Sequence, residues 1–210
     1  MKRRIFAVAG IAAVVLGAGL YFAWPALTAG EAATPPKKEA RPSKWAQPIE
    51  KPGLPNLHRV APGLYRGAQP TAQGMAELKK MGVKTVVNLR SFHSDRDEIG
   101  DTGLAYEHIY MKAWHAETKE IVRFLQIATD KARTPVFFHC KHGADRTGTM
   151  CAIYRIAVCG WSKDEAIAEM TQGGFGYHSV WTNLIKFIRE LDVEDVKRRA
   201  GLPQGTRRRP

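Results

Sequence analysis

A chain of 210 residues with 44% hydrophobic and 25% charged content is too apolar to be disordered throughout and suits one ordinary domain. Its 32 lysines and arginines against 20 acids give a formal charge of +12, which favours phosphates, acidic lipid surfaces or nucleic acid as partners. No zinc-finger spacing or aromatic RNA-binding signature accompanies that charge, and three cysteines do not make the even set of a disulfide framework, so nucleic acid and a disulfide scaffold are both disfavoured.

Residues 1–4 form a basic N-terminus, with Lys2, Arg3 and Arg4 expected to stay in the cytoplasm. Residues 5–24 contain no charged side chain, enough to cross a hydrocarbon core of about 30 Å as a helix. They read as a transmembrane anchor, or as a signal sequence, since the following Ala26-Leu27-Thr28-Ala29 ends in small residues. As an anchor they attach the protein to the membrane and place the rest on the periplasmic or extracellular side. Cleavage would make the protein secreted. Residues 25–55 include Pro35, Pro36, Pro42, Pro48, Pro52 and Pro55 and read as an extended Pro-rich linker. One ordinary domain by size spans 56–195, and 196–210 reads as a basic, disordered tail.

Within the domain, Gly63–Gly67 predicts a short strand, and Thr71 is placed to cap a helix that stops at Gly82. The β-branched run Val83–Leu89 predicts a buried strand, followed by a polar loop over Ser91–Asp101. Leu104–Met111 predicts the next strand, and Ile121, Leu125 and Ala128 recur at helical spacing over 118–131. Pro135–Phe138 predicts a short buried strand that runs into His139. The stretch after Arg146 is apolar all round, which predicts a central buried helix ended by Gly160. Ser162 and Glu165 form a capping box for another helix, and Trp181, Leu184, Ile185, Ile188 and Leu191 mark a last amphipathic one. Strands alternating with helices predict an α/β fold with a mostly parallel central sheet flanked by helices.

The stretch His139-Cys140-Lys141-His142-Gly143-Ala144-Asp145-Arg146-Thr147 joins the last strand to the central helix. Strand, tight loop and helix N-terminus make a phosphate cradle, because loop N–H groups and the positive helix end converge on an anion. Arg146 adds a planar fork for two phosphate oxygens. The same field keeps Cys140 as the nucleophilic thiolate, and Thr147 is placed to donate a hydrogen bond to its sulfur. Cys151 and Cys159 lie on the predicted central helix, too far apart for a bridge, and read as core residues.

The pattern His139-Cys140-x5-Arg146-Thr147 resembles the signature of the cysteine-dependent protein tyrosine phosphatase superfamily, small dual-specificity type. The likeness extends over about residues 56–195 and includes LYRGAQP (64–70) and VVNLR (86–90). It implies a metal-free, cofactor-free phosphomonoester hydrolase. Cys140 would attack phosphorus, a phosphocysteine would form and water would hydrolyse it, with Arg146 holding the equatorial oxygens. Lys141, His142, Gly143, Ala144 and Arg146 would bind the phosphoryl group of a phosphoprotein or phospholipid-like substrate. Lys141 matches one of two basic positions found in lipid-active members; Ala144 does not match the other.

Family members carry an acidic proton donor on the loop before the preceding helix, and here Lys112–Glu117 holds no Asp. His115 or Glu117 is the replacement on that loop, and Asp145, immediately before Arg146, is the favoured one, by its reach into the cradle. A loop-bracing Asp145 is the plainer alternative. Arg66, Asn88 and Arg90 read as structural residues, and Gly173–His178 either lines the pocket mouth or simply links two helices. Two other functions fit a loop cysteine in an anion cradle: a phosphate-binding module without turnover, and a rhodanese-like sulfurtransferase.

Overall fold

The computed structural model describes residues 41–204. The predicted N-terminus 1–4, the predicted anchor or signal 5–24, residues 25–40 of the linker and residues 205–210 of the tail lie outside the described residues. Among the described residues no helix is long and apolar enough to cross a membrane.

Six strands form one sheet: β1 (Gln47–Pro48), β2 (His58–Ala61), β3 (Leu64–Gly67), β4 (Thr85–Asn88), β5 (Ala105–His108) and β6 (Val136–His139). Their order is β1-β2-β3-β6-β4-β5. The β3, β6, β4 and β5 strands are mutually parallel, whereas β1 and β2 add an antiparallel flank. Among the described residues there are seven α-helices, α1 (Ala72–Lys80), α2 (Arg96–Ile99), α3 (Thr118–Thr129), α4 (Asp145–Ala157), α5 (Lys163–Gln172), α6 (Thr182–Glu190) and α7 (Val193–Ala200), with a short 3-10 turn at Gly100–Thr102.

Alternation along the central strands sorts the core into two layers. Val86 and Phe137 face a small cluster with Met75 and Leu78 of α1, together with Leu54, Leu57, Val83, Ile99 and Leu104. Val87 and Phe138 face the larger cluster built on α3, α4, α5 and α6. Side chains at successive strand positions point to opposite faces, so a fully apolar strand serves a sheet covered on both sides. Helix α4 lies at the centre of the larger layer, where eleven of its thirteen residues are buried.

The helix signals hold. Thr71 Oγ1 accepts from the Gly74 N–H, and Ser162 and Glu165 cap α5 reciprocally. Three readings are corrected. The Pro-rich linker is not an extended spacer up to residue 55: Gln47 and Pro48 pair with β2, and Ala46 and Leu54 are buried. Proline is tolerated there because β1 is an edge strand. Residues 196–200 are not disordered tail but the end of α7, which buries Val196 and Ala200 and is capped by Asp192. Finally, α4 ends at Ala157, so Cys159 lies past the helix and is exposed rather than in the core.

Candidate active site

The loops after β4, β5 and β6 all leave the C-terminal edge of the parallel sheet, where open α/β sheets bind their ligands. Cys140 opens the central loop directly after β6, 3% exposed, and Asp145 and Arg146 begin α4.

Neighbouring segments hold that loop in shape. Gly143 sits at φ +70°, and a Cβ there would fall 2.6 Å from the Gly67 carbonyl. Conformation and close approach both require glycine. Three successive loop carbonyls are tied outward. Lys141 O accepts from Gln69 N at 3.3 Å, His142 O from Asn56 Nδ2 at 2.9 Å, and Gly143 O from Arg66 Nη2 at 2.6 Å. With its carbonyls engaged outside, the loop keeps its N–H groups for an anion at the positive end of α4.

A second network fixes the start of the loop. His139 pairs through Nε2 with Asp95 Oδ2 at 2.6 Å, and Asp95 Oδ1 accepts from Asn88 and Gln69 side chains at 3.0 and 2.9 Å. His139, Asp95 and Asn88 are fully buried. Burial pushes the Asp95 carboxyl up, but the bonds from His139 and Gln69 outweigh it and hold the group below the ordinary carboxylate range.

Arg146 is partly exposed, with Nη1 3.4 Å from both the Leu89 and Met111 carbonyls, which belong to the loops after β4 and β5. Those contacts span the mouth between the two loops. Lys141 and His142 are exposed at the rim, and the His142 ring lies 5.6 Å from that of His178. Ala144 is buried, its carbonyl accepting from Gly148 N at 2.7 Å. Thr147 is buried and its Oγ1 has no hydrogen-bond partner, so the expected bond to the Cys140 sulfur is not made. Its hydroxyl is enclosed in the first turn of α4.

The three candidate acids differ in setting. Asp145 is buried, and both carboxylate oxygens meet His178: Oδ1 accepts from its backbone N–H at 3.0 Å and Oδ2 pairs with Nδ1 at 2.8 Å. Gly173–His178 therefore folds against the cradle. His115 is exposed in a tight turn closed by its N–H to Lys112 O at 3.3 Å. Glu117 pairs with Lys119 at 2.7 Å, and that ammonium holds its carboxyl below the usual range. A carboxylate kept ionised in this way is a poor proton donor.

Comparison with known proteins decides the family. A family described as DSP-PTPase phosphatase fused to NAD+ kinase matches residues 56–182. The dual specificity protein phosphatase TpbA of Pseudomonas aeruginosa is 37% identical over 186 residues, covering 88% of this chain and 81% of TpbA. The chain belongs to the dual-specificity protein phosphatase family. This phosphatase is a hydrolase, which sets aside the sulfurtransferase reading. Its fold matches the crystal structure of P. aeruginosa TpbA in complex with pTyr at TM-score 0.69 and 35% identity, over 77% of this chain and 99% of that one. The core catalytic domain of the PP-IP phosphatase SIW14 from S. cerevisiae shares the fold at TM-score 0.63 and 21% identity, covering 70% and 93% of the two chains.

Several supporting residues escaped sequence reading. Asp95 sits in a polar loop among exposed acids, with nothing local to mark it as buried. Asn56 precedes the first long strand, and only its place beside His142 and Phe175 gives it a role.

Proposed function

We propose that this protein hydrolyses phosphomonoesters of phosphoproteins, phosphotyrosine among them, through a phosphocysteine intermediate. Cys140 attacks phosphorus, Arg146 and the loop N–H groups hold the equatorial oxygens, and the ester oxygen departs. Water then frees phosphate from the cysteine. The Asp145–His178 pair carries the proton that the leaving oxygen needs, through Asp145. The observation that carries this reading is the loop itself: Cys140 stands at its start, Arg146 at its end, and three outward-tied carbonyls lie between. A protein substrate is favoured over a lipid because a 35%-identical relative has been crystallised with pTyr. A phosphate-release panel on the full chain, with phosphotyrosyl, phosphoseryl and phosphothreonyl peptides, phosphoinositides and sugar phosphates, tests it. Release from phosphotyrosyl peptide above all others is expected; release from lipid alone contradicts the substrate class, and release from none contradicts turnover.

The apolar segment 5–24 and the basic residues before it support a domain held on the non-cytoplasmic side of a membrane. Protease added to cells with a permeabilised outer envelope should digest the domain. Protection there, with digestion only after lysis, reverses that orientation.

A further inference from the structure

Behind the phosphate loop lies a cation that no carboxylate among the described residues pairs with. Arg66, on β3, is fully buried. Its Nη2 donates to the Gly143 carbonyl at 2.6 Å, and its guanidinium lies 3.8 Å from the centre of the Phe175 ring. Nε and Nη1 have no hydrogen-bond partner among the described residues. Nη2 is also 4.0 Å from where a Cβ at Gly148 would stand, which places the group beneath the first turn of α4.

The buried acids among the described residues are each engaged elsewhere. Asp95 pairs with His139, Asp145 with His178 and Glu169 with Arg155, while Glu120 accepts from the Glu117 backbone. A buried charge without an opposite charge is costly, because it has lost its water and gained nothing in return. The Phe175 ring offsets part of that cost. An anion held in the loop that Arg66 grips would offset more of it.

We propose that Arg66 is a positioning residue for oxyanion binding, acting through Gly143. Its bond keeps the Gly143 carbonyl out of the cradle, where that oxygen would repel phosphate. Its charge, held in a low-dielectric site behind the loop, adds to the field of Arg146 and the α4 N-terminus. A phosphoryl group bound in the cradle would thus be attracted by Arg66 as well as by Arg146. This rests on the phosphatase reading above.

The test compares the full chain with Arg66→Met and Arg66→Lys by calorimetric titration with inorganic phosphate and with tungstate, and by thermal unfolding with and without phosphate. Arg66→Met is expected to weaken oxyanion binding about tenfold or more, the scale of a lost charge-assisted bond. It should raise KM and lower kcat/KM, and phosphate should raise its unfolding temperature less than it raises that of the unaltered chain. Arg66→Lys keeps the charge and should stay within about threefold of the unaltered chain. A methionine variant that binds both oxyanions as tightly as the unaltered chain, or whose unfolding temperature falls equally with and without phosphate, overturns the proposal. If the methionine variant does not fold, a tenfold loss of affinity in the lysine variant overturns it. An unaltered chain that binds neither oxyanion overturns the phosphatase reading as well.

Discussion

The Asp145 carboxylate and His178 meet at two points, the carboxylate taking the backbone N–H at 3.0 Å and the ring Nδ1 at 2.8 Å. An acid beside Arg146 would repel the phosphate dianion of the proposed mechanism, so its presence calls for a compensating role. Pairing with His178 fixes Gly173–His178 against the loop, and in the proposed mechanism Asp145 would also protonate the leaving oxygen. The roles separate by leaving group.

Alkyl phosphates need their leaving oxygen protonated, whereas aryl phosphates with acidic leaving groups depart as anions. Asp145→Asn is expected to lower kcat for alkyl phosphates by about 10²–10⁴-fold, with a much smaller loss for the acidic aryl esters. His115→Ala should show no dependence on leaving group. The reverse pattern in steady-state kinetics would put the acid on the loop before α3 and leave Asp145 as a brace.

Stability should fall on mild acidification because of His58. This side chain is buried edge-on against Phe175 with ring centres 4.8 Å apart, and its Nδ1–H donates to the Asn56 carbonyl at 2.9 Å. Burial lowers its pKa from 6.5 to about 4, with the positive charges of Arg66 and Arg41 adding to the effect. The unfolded chain therefore binds a proton that the folded one refuses between those values. The penalty is absent above pH 6.5, grows as pH falls, and is complete near pH 4, where it amounts to about 3 kcal/mol. Denaturant unfolding from pH 7 to pH 4 should show that slope, and His58→Gln should flatten it. An unchanged slope in the variant would contradict this origin.

Glu169 fastens the N-terminal segment to the domain. It takes Arg155 Nε and Nη2 at 2.8 and 2.9 Å and also accepts from the Ala46 N–H. Glu169→Ala strands the buried Arg155 and should cost about 3–5 kcal/mol in equilibrium unfolding. Residues 41–48 should become protease-sensitive in the same variant, with turnover per folded molecule retained. A loss under about 1 kcal/mol would mean the pair is worth no more than a surface one.

The parts of this fold that sequence made legible are those where local chemistry and tertiary demand agree. The run Val83–Leu89 is β-branched at its centre because β4 is buried on both faces, and Thr71 and Ser162 sit where their caps are needed. The loop was legible because its cysteine, its glycine and its arginine, Cys140, Gly143 and Arg146, lie within one short stretch. Elsewhere composition misled. Prolines hid β1, since an edge strand tolerates what a central one does not. Charges hid α7, whose two buried positions, Val196 and Ala200, are spaced four apart among Lys197, Arg198 and Arg199. Asp95 and Asn56 act across long sequence separations, so no local pattern announced them, and the glycine-rich stretch ending at His178 gave no sign of the Asp145 pairing.

The central claim is that Cys140 becomes covalently phosphorylated during turnover. Rapid acid quenching of the full chain during hydrolysis of an aryl phosphate, followed by peptide mass spectrometry, tests it directly. The account predicts one phosphoryl group on the peptide carrying Cys140, absent from Cys140→Ser, which should also lose turnover while retaining oxyanion binding. Cys151, whose thiol burial pushes up to about 11, should stay unmodified, and Cys151→Ala should form the same adduct. Appreciable hydrolysis by Cys140→Ser, or steady turnover of the unaltered chain with no adduct on Cys140 at any quench time, would contradict it.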